Sequence, residues 1–468
     1  MPALPPRRAP PLPAGPRSAF ISSARYLHDP FATLLELPHR HGDPFTWPTF
    51  FGPVVVTGDP QGIREILTAD PATYGALGAE LLGPVLGANN LILLSGEAHR
   101  AMRRFYGPQF HGERLPEYGA VIARIAGEHA ARWPPDRPFA LEDTMRAISL
   151  EVILEVVLGL GEREMRDVFK RAILQAIQAL KPSFMFIPGL RRSVLGLSAW
   201  ARFRRRAAAA AALFEREVSA RRAGDHQRQD LLSTLIAAHK EDGAPWDGEE
   251  ILEQVMSLIG AGHETTASAL TWAFFHILRS PSVKERLLDE VRGLGEETDP
   301  VAVARLPFLD AVCSETLRLN PIAPLIGRTL RSDLTVKGHP LRAGLSVGIN
   351  IVALHRRPDL YPDPDRFSPE RFLGRDYGPF EYLPFGGGAR RCLGAAFALY
   401  EMKLVLATVL RAHTLELTDR RDVRSALRNT TASPAKKIKV IRRLGGQQSF
   451  VAGVGPLFFC QKHPPADS

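Results

Sequence analysis

The sequence predicts a mainly α fold with a small β subdomain, and three observations carry that reading. Helix-forming stretches with apolar periodicity near 3.6 dominate the chain, and strand signals are few and short. No internal repeat or linker divides the 468 residues. That length could serve one large core or two or three average domains, and the missing linker favours a single domain.

The first residues, Met1-Pro-Ala-Leu-Pro-Pro-Arg-Arg-Ala-Pro-Pro-Leu-Pro-Ala-Gly-Pro16, form a proline-rich lead-in over 1–17, extended and without the apolar run of a signal peptide or membrane anchor. A strand follows at Val54–Thr57. Helices are expected over Ala120–Trp133, Leu141–Leu158, Arg202–Ala223, Glu249–Leu278, Val283–Leu294 and Leu309–Leu319. Within the second of these lies the apolar run from Ser149, which carries Glu151 and Glu155. It therefore reads as an amphipathic core helix rather than a membrane span. Two more strands are expected at Leu334–Lys337 and Ser346–Asn350. Between His355 and Phe372, Pro358, Pro362, Pro364 and Pro369 exclude a continuous helix and impose a rigid, winding path.

With 45% hydrophobic and 23% charged residues, the chain has the composition of a soluble globular protein. Its net charge of +9 raises the question of nucleic acid, but the arginines sit in helical stretches such as Arg202-Phe-Arg-Arg-Arg206 with no nucleic-acid motif around them. They read as solvated helix faces. Three cysteines, Cys313, Cys392 and Cys460, are too few and too scattered for a disulfide framework or a zinc site, which suits a reducing compartment and a cytoplasmic location.

Cys392 stands apart from the other two. It ends the glycine-rich stretch Phe385-Gly-Gly-Gly-Ala-Arg-Arg-Cys392-Leu-Gly394, and the helix-forming run from Ala395 follows at once. Unpaired N–H groups at a helix start, together with Arg390 and Arg391, favour negative charge on sulfur. Glycines let backbone amides approach closely. An axial thiolate on haem iron needs such a site, and a buried structural cysteine in a turn is the plainer alternative.

The residues Phe385, Gly388, Arg390, Cys392 and Gly394 fill every fixed place of the haem-binding signature of the cytochrome P-450 superfamily, which this chain resembles over roughly residues 12–440. The resemblance implies a single-domain cytochrome P-450 fold of the bacterial soluble type. The domain would span 18–443, with a closing strand ending near Val440–Arg443 and an unassigned tail over 444–468. It implies haem b held by Cys392. Glu315 and Arg318, on one helical face, would join Arg371 in a buried triad that fixes the cysteine loop. Ala261, Gly262, Glu264 and Thr265 match the family's oxygen-groove pattern in the long helix. Dioxygen would bind against a bend there, with Thr265 donating a hydrogen bond to it and Glu264 relaying protons; close packing through small residues is the other reading. His263 reads as a packing residue.

His99 and Arg103, four apart on a helical face, suit the haem propionates, as do Arg328, after the apolar turn Pro321–Gly327, and Arg390. Solvated charge is the competing reading, strongest for Arg100 and Arg104. Three apolar segments, Leu81–Ile92, Phe184–Leu190 and Pro321–Ile326, would line a cavity for a lipophilic substrate.

The activity implied is insertion of one oxygen atom from O2, with electrons from a separate ferredoxin or flavodoxin-type donor docking near Arg100, Arg104 and Arg391. Two alternatives are a peroxide-driven peroxygenase, whose relatives replace the acid–alcohol pair by Arg and Pro, and a non-catalytic haem sensor or carrier.

Overall fold

The computed structural model describes residues 11–49, 52–78, 83, 87, 90–112, 114–159, 163–180, 184, 188–193, 196–224, 230–237, 246, 248–295, 299–428 and 431–444. Helices make up most of these residues. The longest, Gly248–Arg279, runs through the middle of the main core, where Ile259, Leu270, Trp272 and Phe274 are buried. Helices Leu141–Leu158 and Ala395–Ala412 contribute Met145, Val152, Leu404 and Val405 to the same cluster. Burying such side chains stabilises the fold by about 1.5–3 kcal/mol each against exposure.

The strands are β1 (Phe45–Thr49), β2 (Gly52–Thr57), β3 (Tyr74–Ala76), β4 (Pro138–Ala140), β5 (Leu325–Leu330), β6 (Leu334–Val336), β7 (His339–Leu341), β8 (Ser346–Asn350), β9 (Thr414–Leu417), β10 (Ser425–Arg428), β11 (Thr431–Pro434) and β12 (Lys439–Arg443). Among the described residues they form four small sheets, and β9 and β12 add Leu415 and Val440 to the main core. The main sheet has the order β1-β2-β8-β5-β3, with β2 and β8 parallel and the other pairs antiparallel. A second core forms on this sheet from Val55, Ile63, Val347 and Ile349. In the sheet order β4-β12-β9, the strand expected to close the domain is central, which ties the chain's two halves together.

All six expected helices are present, within a few residues at their ends: Arg114–Ala131, Leu141–Leu158, Ala199–Ala223, Gly248–Arg279, Pro281–Arg292 and Pro307–Leu319. Further helices, among them Ala19–His28, Pro30–His41, Pro60–Thr68 and Arg163–Ala179, were not expected from the sequence. Pro30 and Pro60 look like breakers in sequence, yet each sits in the first helical turn behind an aspartate cap, Asp29 or Asp59, where no N–H is lost. A second difference concerns Pro321–Gly327, expected as an apolar turn. Leu325 onward is strand, and Arg328 pairs in register with Val347 on one side and Ala76 on the other.

Candidate active site

The cysteine loop is shaped by contacts that leave no room for side chains. Gly386 and Gly388 have φ of +66° and +64°, a region L residues rarely adopt. A Cβ on Gly388 would lie 2.8 Å from the Leu67 carbonyl oxygen, and one on Gly387 2.6 Å from Leu67 Cδ1. The turn closes where the Cys392 N–H donates to the Phe385 carbonyl at 2.8 Å. Helix Ala395–Ala412 then begins after Gly394.

Cys392 is accessible to solvent. Burial by the surrounding protein pushes its thiol pKa up, while the Gly394 N–H, Arg103 and Arg391 pull it down by less. The expected field is present in direction, from the Gly394 N–H and Arg391 with Arg103 added, and desolvation outweighs it. A coordinated metal cation supplies the rest of the drive to deprotonate a thiol. Cys313 is wholly buried, with its pKa pushed up to about 12 by burial. Cys460 lies outside the described residues.

The loop is braced from behind. Glu315 and Arg318 are fully buried, and Arg318 Nε and Nη2 donate to the two Glu315 oxygens at 2.6 and 2.9 Å. Arg371 Nε and the Ser368 N–H both donate to Glu315 Oε1, at 3.0 and 2.8 Å. Arg318 Nη1 donates to the carbonyls of His355 and Pro364. His355 completes the link, with Nδ1 3.2 Å from the Arg318 carbonyl and Nε2 accepting the Leu383 N–H at 2.9 Å. Because Nε2 accepts, the proton of this neutral ring is on Nδ1. Burial pushes the His355 pKa down to about 3.

Beside the loop lies a cavity of about 360 Å³ whose lining includes His99, Arg103, Arg328, Arg390, Tyr74 and Ile326. Helix Gly96–Tyr106 supplies His99 and Arg103, strand β5 supplies Arg328, and the loop supplies Arg390. Burial pushes the His99 pKa down to about 4, aided by Arg390, Arg103, Arg328 and Arg100. Burial likewise lowers Arg328 to about 10. Arg390 donates to the Ile92 carbonyl at 3.1 Å and to Ser95 Oγ at 2.9 Å, and Arg328 to the Gly327 carbonyl at 2.8 Å. Among the described residues, Arg103, Arg328 and Arg390 have no carboxylate partner. A cluster of partly buried cations without acids is costly unless an anion enters it. Arg100 and Arg104 differ from them, since both are exposed and paired with Glu97.

The long helix presents the remaining pair. It is α-helical without interruption from Gly248 to Arg279, so no break in the helix marks the expected bend. The two glycines that flank Ala261 have different tasks. A Cβ on Gly262 would meet Ile153 at 3.2 Å, which is close helix packing, whereas Gly260 has open space and Ala261 is exposed amid a largely buried helix. Thr265 Oγ1 donates to the Ala261 carbonyl at 2.8 Å. Glu264 lies 4.0 Å from Arg146, which pairs with the buried Glu142 at 2.9 Å, and Glu142 with Arg428 at 3.2 Å. His263 is buried, with Nδ1 2.8 Å from the Ile259 carbonyl. Glu264 and Thr265 do not line the cation cavity, and neither is hydrogen-bonded to Cys392.

Of the three apolar segments, Pro321–Ile326 brings Ile326 to the cavity. Most of Leu81–Ile92, and residues 185–187 of Phe184–Leu190, lie outside the described residues. Where described, Asn90 Oδ1 accepts from Ser257 Oγ of the long helix at 3.0 Å. Phe184 is buried edge-on against Trp200 at 5.3 Å, so it packs rather than lines. Sequence reasoning missed Arg146 and His355. Neither stands in a motif of its own, and both are visible only through contacts from other elements.

The family model for Cytochrome P450 matches residues 10–442. This chain belongs to the cytochrome P450 family. A relative named cytochrome P450 135B1 in Mycobacterium tuberculosis is 34% identical over 434 residues, covering 92% of this chain and 91% of its own. A solved cyanobacterial cytochrome P450, CYP120A1 with retinoic acid bound, is 26% identical. It superposes with a TM-score of 0.79 over 92% of this chain and all of its own. The haem domain of cytochrome P450DA, 23% identical, shares the fold with a TM-score of 0.81, over 93% of this chain and 98% of its own.

This cytochrome P450 is a haem-thiolate oxidoreductase of the monooxygenase class, and its cofactor is haem b with an axial cysteine thiolate. The donor set fits that group: an accessible cysteine on a loop beside partly buried cations that lack acids matches a thiolate-held macrocycle bearing two carboxylates. Among the described residues no helix is long and apolar enough to cross a membrane.

Proposed function

We propose that this cytochrome P450 inserts one oxygen atom from O2 into a lipophilic substrate, working in the cytoplasm with electrons from a separate ferredoxin or flavodoxin-type donor. Cys392 is the axial ligand, and His99, Arg103, Arg328 and Arg390 hold the propionates. The observation that carries this reading is the acid-free cation cavity beside Cys392, with Arg103 close enough to act on the thiol. Haem b, when bound, supplies the redox chemistry that activates oxygen.

The chain's own residues do the rest. Arg146 holds Glu264 while leaving its carboxylate partly accessible, so that Glu264 can take and pass protons. Thr265 carries its hydroxyl beside the exposed Ala261, where it would be free to turn from the backbone acceptor and donate a hydrogen bond into the haem site. An acid paired with an alcohol favours the O2 route over the peroxide route. The small-residue opening on the long helix favours catalysis over mere haem carriage. Ile326 on the cavity wall supports a lipophilic substrate, as does the retinoic acid bound by the cyanobacterial neighbour. Arg391, exposed beside Cys392, together with Arg100 and Arg104, suits an acidic electron donor.

The test is the spectrum of the reduced, carbon-monoxide-bound protein. Cys392→Ala should abolish the thiolate-type band, whereas Cys313→Ala should retain it. A normal thiolate band in Cys392→Ala would sink the assignment.

A further inference from the structure

Helix Ala19–His28 exposes large apolar side chains that no described part of the chain covers. Phe20 is 71% exposed, Leu27 66% and Ile21 60%. At 100° per residue, Phe20, Ala24 and Leu27 fall at i, i+4 and i+7 on one face, with Ile21 on its border. All four are exposed. The opposite face is anchored: Ser22 is buried, and Tyr26 packs edge-on against Trp47 at 4.8 Å. The Ser18 hydroxyl caps the helix by accepting the Ile21 N–H. The stripe is therefore held rigidly outward. Single exposed apolar residues are ordinary, but three large ones on a ten-residue helix are a contiguous patch and mark a contact surface.

The charge around the patch selects the partner. Residues 1–28 contain Arg7, Arg8, Arg17 and Arg25 and no Asp or Glu. Bordering Ile21, on the side of the helix that carries Ser22 and Arg25, lies a groove of about 230 Å³ lined by Arg17, Ser18, Ser22, Arg25, Thr33 and Arg40, among others. Arg25 and Arg40 share one carboxylate, Glu36, and Arg17 has no acid partner among the described residues. The groove thus holds three guanidinium groups against one acid, with hydroxyls between them, and Ile21 joins it to the apolar face. That juxtaposition matches an anionic amphiphile surface, with phosphates at the groove and acyl chains under the ridge.

We propose that the amino-terminal helix docks this protein peripherally on an anionic phospholipid membrane, Phe20, Ala24 and Leu27 entering the interface while the arginine-lined groove takes lipid phosphate. The protein lies on such a surface rather than spanning it. The inference is independent of the catalytic assignment.

Co-sedimentation of the haem-loaded full chain with vesicles tests it. Vesicles containing phosphatidylglycerol should bind the protein at least about tenfold more strongly than phosphatidylcholine alone, and high salt should weaken that binding. The double variant Phe20→Ser, Leu27→Ser should lose about tenfold in partitioning, and Arg17→Glu should lose less, with the reduced carbon-monoxide spectrum unchanged in both. Inorganic phosphate at constant ionic strength should not release the protein. Four outcomes would overturn the proposal: no binding of the wild type to anionic vesicles, unchanged binding of the double variant, full release by inorganic phosphate, or self-association without lipid that the double variant abolishes.

Discussion

At Cys392 burial and field oppose each other, and the balance explains why the surrounding cations are placed as they are. Arg103 and Arg391 lower the cost of ionising a sulfur that desolvation would otherwise keep protonated. Arg103 also faces the cavity with His99, where the proposed propionate site would use both. Replacing both His99 and Arg103 by alanine should weaken haem retention by roughly 1.5–3 kcal/mol for each charge-assisted hydrogen bond removed, read as haem transfer to a competing apoprotein. Unchanged retention would return both residues to the solvated-charge reading. Thr265 makes a different kind of contribution. Its hydroxyl bonds back to a carbonyl already inside the helix ladder, so Thr265→Ala should leave stability almost unaltered. Reductant and O2 should still be consumed, with hydrogen peroxide released in place of product. Glu264→Gln should slow turnover without altering the resting spectrum. If both variants keep wild-type coupling of product to reductant, the pair has no part in oxygen chemistry.

Among the elements, helix Pro307–Leu319 acts on the cysteine loop at a distance. Its Glu315 gathers Arg318, Arg371 and the Ser368 N–H, while Arg318 grips carbonyls of the proline-rich path that leads to the loop. Every partner is needed because the pair is fully buried. Glu315→Ala should destabilise the protein by about 3–5 kcal/mol in urea unfolding, since it leaves the Arg318 charge in the core without a counter-ion. Arg371→Ala should cost less, because Arg371 reaches toward solvent and Arg318 still neutralises Glu315. Equal losses in the two variants would show that Arg371 is as central as Arg318.

For the whole molecule, the buried histidines set a pH limit. His99, His276 and His355 have pKa values pushed down to about 4, about 4 and about 3, burial being the largest cause in each. In the unfolded chain a histidine titrates near 6.5. The unfolded state therefore binds more protons below that pH, and stability that is fully present above it is lost as pH falls toward the folded values. The melting temperature should drop between pH 7 and pH 5.5, before most carboxylates titrate. His276→Gln, which can keep a hydrogen bond to Asn320, should flatten that slope. An unchanged slope in that variant would assign the acid sensitivity to other groups.

The sequence by itself was enough for the long-range periodicity of six helices, for the cysteine loop and for the glutamate–arginine pair, because each depends on local spacing that any fold must respect. It also contained every member of the cation cluster, as residues scattered from His99 to Arg390 whose common cavity is a product of chain folding. Tertiary structure decided what local pattern cannot. It made Arg328 part of a strand, because β3 and β8 offer ladder partners on both sides of it. It put Arg146 beside Glu264 and His355 between Arg318 and Leu383. It also supplied the burial that raises the Cys392 pKa against the Gly394 N–H and arginines that lower it. The reason is the same in each case: burial and through-space charge depend on which elements come together, and a linear sequence records neither.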